Sequence, residues 1–425
     1  MFVCYTVIKW FFQTERCVDM KYIILVGDGM ADIPLTELEG KTPLSAANKP
    51  GMDFIASKGI NGRVYTVPDG MVPESDTANL SIMGYDPLLY SKGRSPLEAA
   101  SIGIQMFPED TAIRANIVTL SEEETAYEDK HMVDHSAGEI TTAEADALIK
   151  AVQEAFGDGQ KTFYTGVSYR HCLIWKDCPD YTDFTRPHDI IGHRIGDHRP
   201  KNASSQAMWE LQKASFDLLN NHPVNLARAA AGKRKANSLW LWSPGKKPFL
   251  PDFKEKTGLK GTVVCAVDLI RGIGLCAGMD APVVEGATGA LDTNYAGKRD
   301  AAIKALEQGS DLVYIHVEAP DECGHQGSYT DKIKAIENID REILVPLLAY
   351  FKDREEDVRI LLTPDHPTPV YARTHTKDAI PFVLYDSSDE KESGITCYCE
   401  QSGFDGGVCL PKGEDLMGLL TGRTV

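Results

Sequence analysis

Three apolar runs in this 425-residue chain each end on a carboxylate, and two of them bring a histidine with it. Tyr22–Val26 runs into Gly27-Asp28-Gly29. Asp311–Val317 leads to Asp321 and His325. Val358–Leu362 ends in Thr363-Pro364-Asp365-His366, with His375 beyond a proline-interrupted loop. Asp321 and His325 have the spacing that puts two side chains on one face of a helical turn. Adjacent strand residues point to opposite faces, but a turn past a strand end lets Asp365 and His366 reach one site. Pro364, Pro367 and Pro369 restrict φ, so this loop loses less entropy when held rigid. Each fragment alone also has an ordinary reading: Asp28 as the turn residue of Asp-Gly, the histidines as loop residues, Asp-x-x-x-His as a chance match. Recurrence at three strand ends favours one shared site.

Ser75 opens the helical stretch Ser75–Leu80, where an N-cap belongs. The same position offers free backbone N–H groups and the positive end of the helix dipole, which stabilise an alkoxide or a phosphate. Capping and nucleophilic roles both stay open here, and Thr77 is the rival nucleophile. Three carboxylates, three imidazoles and a hydroxyl suffice for two divalent ions with open positions. Without cysteine in the set, Mn2+ or Mg2+ is expected, with Co2+ or Zn2+ as alternatives. Two metals flanking a serine can lower its hydroxyl pKa and clamp the oxygens of a transferring phosphoryl group.

The elements that must position these residues alternate. Helix Ser45–Lys58, a strand near Arg63–Val67 and helix Ser95–Ile102 follow the first strand. Residues 105–251 then form a block with its own strands (Ala112–Leu120, Thr162–Val167, Cys172–Trp175) and helices (Thr142–Phe156, Ser204–Asn220). Trp242–Asp252, rich in Pro, Gly and Lys, reads as a hinge. Alternation resumes with Thr262–Val267, Leu269–Met279, helix Lys298–Gln308, helix Asp331–Tyr350 and strand Pro381–Tyr385. This pattern predicts a doubly wound α/β domain (residues 21–104 and 252–425) interrupted by an inserted smaller α/β domain (105–251). Seven of the 11 histidines lie in the insert, with Arg170, Arg186, Arg194 and Arg199, a composition suited to an anionic ligand.

A net charge of -18, from 44 Lys+Arg against 62 Asp+Glu, argues against a nucleic-acid partner but permits a small anionic substrate. Ten cysteines without a C-x-x-C pair suit reduced thiols and a cytoplasmic location. Met1–Cys17 is too short and too mixed for a membrane span, so residues 1–20 are set aside as an N-terminal extension and no membrane is expected.

Leu25–Met30, Pro73–Leu80, His316–His325 and Thr363–His366 together resemble the cofactor-independent phosphoglycerate mutases, archaeal-type branch, of the alkaline phosphatase superfamily. Gly286–Gly289 with Asp292–Tyr295, and Trp240–Lys247, add to the resemblance. It implies an alkaline-phosphatase-like fold and an isomerase of glycolysis and gluconeogenesis. Ser75 would become phosphoserine as 2- and 3-phosphoglycerate interconvert, without 2,3-bisphosphoglycerate. It places one metal on Asp321, His325 and His375 and the other on Asp28, Ser75, Asp365 and His366. Substrate contacts would fall at His135, Ser136, Arg170, His188 and Asp189, with Arg271 as a phosphate contact where relatives carry lysine. The runner-up is another metal phosphomutase or a phosphohydrolase of the same superfamily. The oligomeric state, homo-oligomer included, is left open.

Overall fold

The computed structural model describes residues 20–91 and 93–422; the reading of Met1–Cys17 lies outside them. Twelve strands are described: β1 (Lys21–Gly27), β2 (Ile60–Val64), β3 (Asp110–Leu120), β4 (Met132–Asp134), β5 (Lys161–Tyr164), β6 (Arg170–Lys176), β7 (Ser238–Lys246), β8 (Gly261–Val264), β9 (Leu312–Val317), β10 (Val358–Thr363), β11 (Ile380–Asp386) and β12 (Val408–Leu410). Seven of them form one sheet in the order β12-β2-β11-β10-β1-β9-β8. Only β11 runs antiparallel to its neighbours.

β1 lies at the centre because both its faces are apolar. Ile23 and Leu25 enter one core and Ile24 and Val26 the other, all fully buried. Helices cover both faces, so the strand reads as a continuous apolar run rather than an alternating one. Its register pairs Val26 with His316 on one side and Thr363 on the other. The C-terminal ends of β1, β9 and β10 therefore lie side by side, and the three acidic loops emerge at one edge, where open α/β sheets bind ligands.

The second sheet is antiparallel, in the order β4-β3-β6-β5, with β7 also paired to β3. All its strands come from residues 110–246. Helices Thr142–Phe156 and Gln206–Leu219 pack their apolar faces on it through Leu148, Ile149, Met208 and Leu211. No helix among the described residues is long and apolar enough to cross a membrane.

Local structure departs from the sequence pattern where proline intervenes. Ser45–Lys58 is two helices, Pro43–Ala46 and Pro50–Lys58, because Pro50 disfavours helical backbone at Lys49. Asp331–Tyr350 contains a π-turn at Asp340–Leu344, just before Pro346, which has no N–H to give the preceding turn. The buried Asp340 carboxylate there accepts the N–H groups of Gly51 (3.1 Å) and Met52 (2.6 Å), closing the N-terminus of the neighbouring helix. The first half of the expected hinge is strand: Trp242–Lys246 completes β7 and pairs with Thr111–Arg114 across a bulge that accommodates Pro244.

Behind the acidic loops lies a fully buried ion pair. Lys332 Nζ sits 2.7 Å from Asp32 Oδ2 and donates to the carbonyls of Thr368 (2.8 Å) and Ala31 (3.1 Å). One side chain thus ties the loop after β1 to the loop after β10. Lys332→Met strands the Asp32 carboxylate without a cation and is expected to cost roughly 3–5 kcal/mol in urea denaturation. Adding Asp32→Asn should recover part of that loss.

Candidate active site

Asp28 follows β1 directly, and Gly29 takes a left-handed φ of 61°. A Cβ on Gly29 would lie 2.6 Å from Thr368 Oγ1 and 2.8 Å from Asp321, so only glycine lets the three loops close this far. Asp365 Oδ1 accepts N–H groups from Gly29 (3.1 Å) and His366 (2.9 Å), while Oδ2 accepts from Asn79 Nδ2 (2.8 Å). Asn79 belongs to the helix Ser75–Ile82 and is itself held by the Tyr314 hydroxyl. Glu74, not Ser75, occupies the N-cap position, and neither makes a side-chain capping bond. Ser75 is the first helical residue, and its Oγ instead lies 3.3 Å from His366 Nε2. The capping reading of Ser75 gives way because its hydroxyl faces the site. Thr77 is buried.

Backbone carbonyls set the imidazoles. His325 Nδ1 donates to Arg373 O (2.9 Å) and His375 Nδ1 to Pro73 O (2.8 Å). A carbonyl only accepts, so each Nδ1 carries a hydrogen and each Nε2 is left without a backbone partner. Nε2 is a donor to Asp321 while the ring is protonated and offers a lone pair for a metal once it is not. Those Nε2 atoms lie 3.2 and 3.4 Å from the Asp321 carboxylate and 3.0 Å from each other. Thr368 Oγ1 gives its proton to Asp321 and can only accept at His366 Nδ1, 3.3 Å away. His366 Nε2 lies 3.6 Å from Asp28 Oδ1 and 3.5 Å from Asp365 Oδ2. Its ring stacks on His375 with centroids 3.9 Å apart, which joins the two groups into one cluster.

His316, on β9, was missed as a site residue by sequence reasoning. It is fully buried with Nε2 3.3 Å from Asp28 Oδ2, and neither ring nitrogen has a hydrogen-bond partner. Asp28 Oδ1 is likewise unpartnered. Its signal was weak: one polar residue closing an otherwise apolar strand. Ligand atoms of Asp28, His316 and Asp365 lie within 4.8 Å of one another, and so do those of Asp321, His366 and His375. Imidazole nitrogens converging on carboxylates, with orphaned buried polar atoms beside them, are a donor set that fits divalent-metal sites.

Burial raises the Asp28 carboxyl well above the ordinary range, and Asp365 and Asp321 push it the same way. At Asp321 burial opposes ionisation, but hydrogen bonds from His325 and His375 outweigh it and hold the carboxyl low. The bond to Asp321 brings His325 up to about 9. Burial lowers His366, and takes His316 down to about 4. Without a metal, protons supply the charge balance.

A cleft of about 620 Å3 is lined by residues of both domains; Ser75 and the metal-ligand candidates do not line it, but Glu318 and Glu322, close in sequence to Asp321, do. Of the substrate contacts expected from sequence, His135, Arg170 and His188 line it. Ser136, Asp189 and Arg271 do not. The Ser136 hydroxyl is buried and bonded to Asp134 (2.9 Å), and the Asp189 side chain is largely exposed. Arg271 lies outside the cleft lining and donates from Nε to the Ala281 carbonyl (3.1 Å) and from Nη1 to the Ser101 carbonyl (2.8 Å). Arg94 and Arg114, which sequence reasoning missed, enter the cleft instead. Arg114 interrupts the otherwise apolar middle of β3 and stacks on Trp242 (4.5 Å) while pairing with Glu98. A separate groove of about 730 Å3 beside Phe54 and Tyr385 holds none of these residues.

The chain matches known proteins along nearly its whole length. A relative from Geobacter sulfurreducens is 47% identical over 404 residues, covering 95% of this chain and 100% of its own. The 2,3-bisphosphoglycerate-independent phosphoglycerate mutase of Methanosarcina barkeri is 46% identical, with 94% and 99% covered. The chain belongs to this mutase family. The family model for 2,3-bisphosphoglycerate-independent phosphoglycerate mutase matches residues 56–225. Among solved structures, a Pyrococcus horikoshii protein superposes with a TM-score of 0.78 at 29% identity, covering 96% of this chain and 99% of that one. The cofactor-independent phosphoglycerate mutase of Thermoplasma acidophilum gives 0.66 at 28%, covering 95% and 99%. The expected α/β fold is the one these mutases share, and the chain is an isomerase of the intramolecular phosphotransferase class.

With His325 protonated up to about 9 in the metal-free state, a divalent ion entering there must displace a proton. Affinity for Mn2+ is therefore expected to rise with pH up to that value. Calorimetry in buffers of different ionisation enthalpy should show proton release to the buffer; a pH-independent affinity would contradict the arrangement.

Proposed function

We propose that this mutase interconverts 2-phosphoglycerate and 3-phosphoglycerate through a phosphoserine at Ser75, using two divalent ions and no 2,3-bisphosphoglycerate. The supporting observation is the placement of Ser75: its Oγ meets His366 Nε2 at 3.3 Å, at a helix N-terminus, among convergent metal-ligand side chains. Asp321, His325 and His375 would hold one ion, and Asp28, Ser75, Asp365 and His366 the other. Mn2+ or Mg2+ suits this oxygen- and nitrogen-rich set, with Co2+ or Zn2+ as alternatives. Bound there, the ions would neutralise the carboxylates, lower the Ser75 hydroxyl pKa and screen the phosphoryl oxygens.

The chain's own groups do the rest. Ser75 Oγ attacks phosphorus, forming its O–P bond as the bond to the glycerate oxygen breaks. The open N–H groups of the Ser75–Ile82 helix face the phosphate that results. Arg94, Arg114 and Arg170 offer planar forks for the glycerate carboxylate. Burial lowers His188, which favours its neutral form, and it can exchange a proton with a leaving hydroxyl; His135 packs edge-on beside it. Glycerate turns in the cleft and its other hydroxyl takes the phosphoryl group back. Closure of the 105–251 domain over residues 21–104 and 252–425 would keep water from competing for the phosphoserine. In this reading the protein works in the cytoplasm, in glycolysis and gluconeogenesis.

Ser75→Ala should abolish mutase activity in an assay without added bisphosphoglycerate, while metal content by elemental analysis largely persists. Retained activity would shift the nucleophile to Thr77. Inorganic phosphate as the main product would make the protein a phosphohydrolase. His375→Ala should weaken one metal, because His375 touches Asp321, and leave the other in place.

A further inference from the structure

Away from the cleft, the segment before the helix Glu400–Asp405 carries two cysteines packed against the Pro50–Lys58 helix. Lys49, whose side chain is fully buried, holds its ammonium 2.9 Å from Asp53 Oδ1 and 3.3 Å from Cys397 Sγ. Asp53 Oδ1 also accepts the Tyr398 N–H at 2.9 Å, which fixes the backbone between the cysteines. Cys399 follows two residues after Cys397, and the two thiols are close enough to interact electrostatically. Cys399 sits at the N-cap of its helix, with its sulfur accepting the Ser402 N–H. Cys397 is half-buried, open enough for a small oxidant.

The environment separates this thiol from the others. The hydrogen bond from Cys399 and the Lys49 ammonium bring Cys397 down to about 6 against the opposing effect of burial. Burial pushes Cys172, Cys178 and Cys265 up to about 12, and Cys276 and Cys323 up to about 11. At neutral pH Cys397 is a thiolate while its neighbour Cys399 is a thiol, the pairing that a redox-reactive dithiol needs.

We propose that Cys397 and Cys399 form a hydroperoxide-reactive dithiol, in which Cys397 beside Lys49 is the attacking sulfur and Cys399 resolves it. The Cys397 thiolate attacks one peroxide oxygen: the S–O bond forms, the O–O bond breaks, and the departing hydroxide takes a proton to leave as water. Cys399 then loses its proton and attacks the Cys397 sulfenic sulfur. The S–S bond forms, the S–O bond breaks, and the hydroxyl leaves with that proton as a second water. Two thiols are oxidised by two electrons, and the hydroperoxide supplies the only oxidant.

The site lies one residue before Glu400, which accepts the Asp32 N–H (2.9 Å) and the Thr42 hydroxyl (2.6 Å). Asp32 carries Lys332, and Lys332 holds the Thr368 carbonyl. The dithiol therefore adjoins the scaffold of the metal-ligand loops without contributing a ligand.

The test treats full-length, metal-loaded protein with hydrogen peroxide at neutral pH, alkylates free thiols and maps peptides by mass spectrometry. The expected product is an intramolecular Cys397–Cys399 disulfide formed before any other cysteine reacts and reversed by dithiothreitol. Cys399→Ser should stop at a Cys397 sulfenic acid that a dimedone probe captures. Lys49→Met should slow alkylation of Cys397 roughly tenfold at neutral pH. If that variant does not fold, Cys399→Ser decides alone. Oxidation of other cysteines ahead of Cys397, a disulfide between molecules, or no dimedone adduct in Cys399→Ser would overturn the proposal.

Discussion

Three carboxylates buried at the ends of three adjacent parallel strands are the constraint on which the rest of this structure depends. Asp28, Asp321 and Asp365 are each at most 5% exposed, and an uncompensated charge in such a place costs several kcal/mol. The loops around them answer that cost with donors: backbone N–H groups and the Asn79 amide at Asp365, a threonine hydroxyl and two imidazoles at Asp321. One Asp28 oxygen keeps no partner, and the proton affinity of Asp28 and His325 is raised.

The imidazoles are positioned by the backbone more than by one another. Carbonyls of Pro73 and Arg373 select the tautomer of His375 and His325, so every Nε2 faces inward. Pro73 stands two residues before Ser75, and its carbonyl therefore couples the segment leading into the Ser75–Ile82 helix to the loop that carries His375. Rigidity of this kind suits phosphoryl transfer, where catalysis consists mostly of positioning and charge stabilisation. The buried Lys332–Asp32 pair extends the same logic one layer further back.

The second sheet contributes a different chemistry. Its arginines and histidines face the cleft from strands and loops that share no sequence motif with the acidic loops, yet the β3–β7 pairing brings Trp242 under Arg114. That arrangement converts a cation in the middle of a strand into an oriented fork. Arg271, by contrast, is turned by its helix toward the carbonyls of Ser101 and Ala281.

The α/β fold and the long apolar strands were legible in the sequence, while the short strands β4 and β12 and the Pro-containing β7 were not. Apolar runs that end in Asp-Gly, Pro-Asp-His or Asp-x-x-x-His carry a local signal, because burial on both faces leaves a continuous stretch of β-branched and aliphatic residues. Helix breaks were less legible, since Pro50 and Pro346 act through turns that hydrophobic period does not record. His316, Arg94 and Arg114 escaped notice for a different reason. Each is a single polar residue in an apolar or mixed run, and only strand register and domain packing determine what it faces. The sequence by itself determined which residues could do the chemistry; the tertiary structure alone decided which of them share a site, because convergence depends on contacts between segments more than a hundred positions apart, such as Gly29 with Asp365 and Arg114 with Trp242.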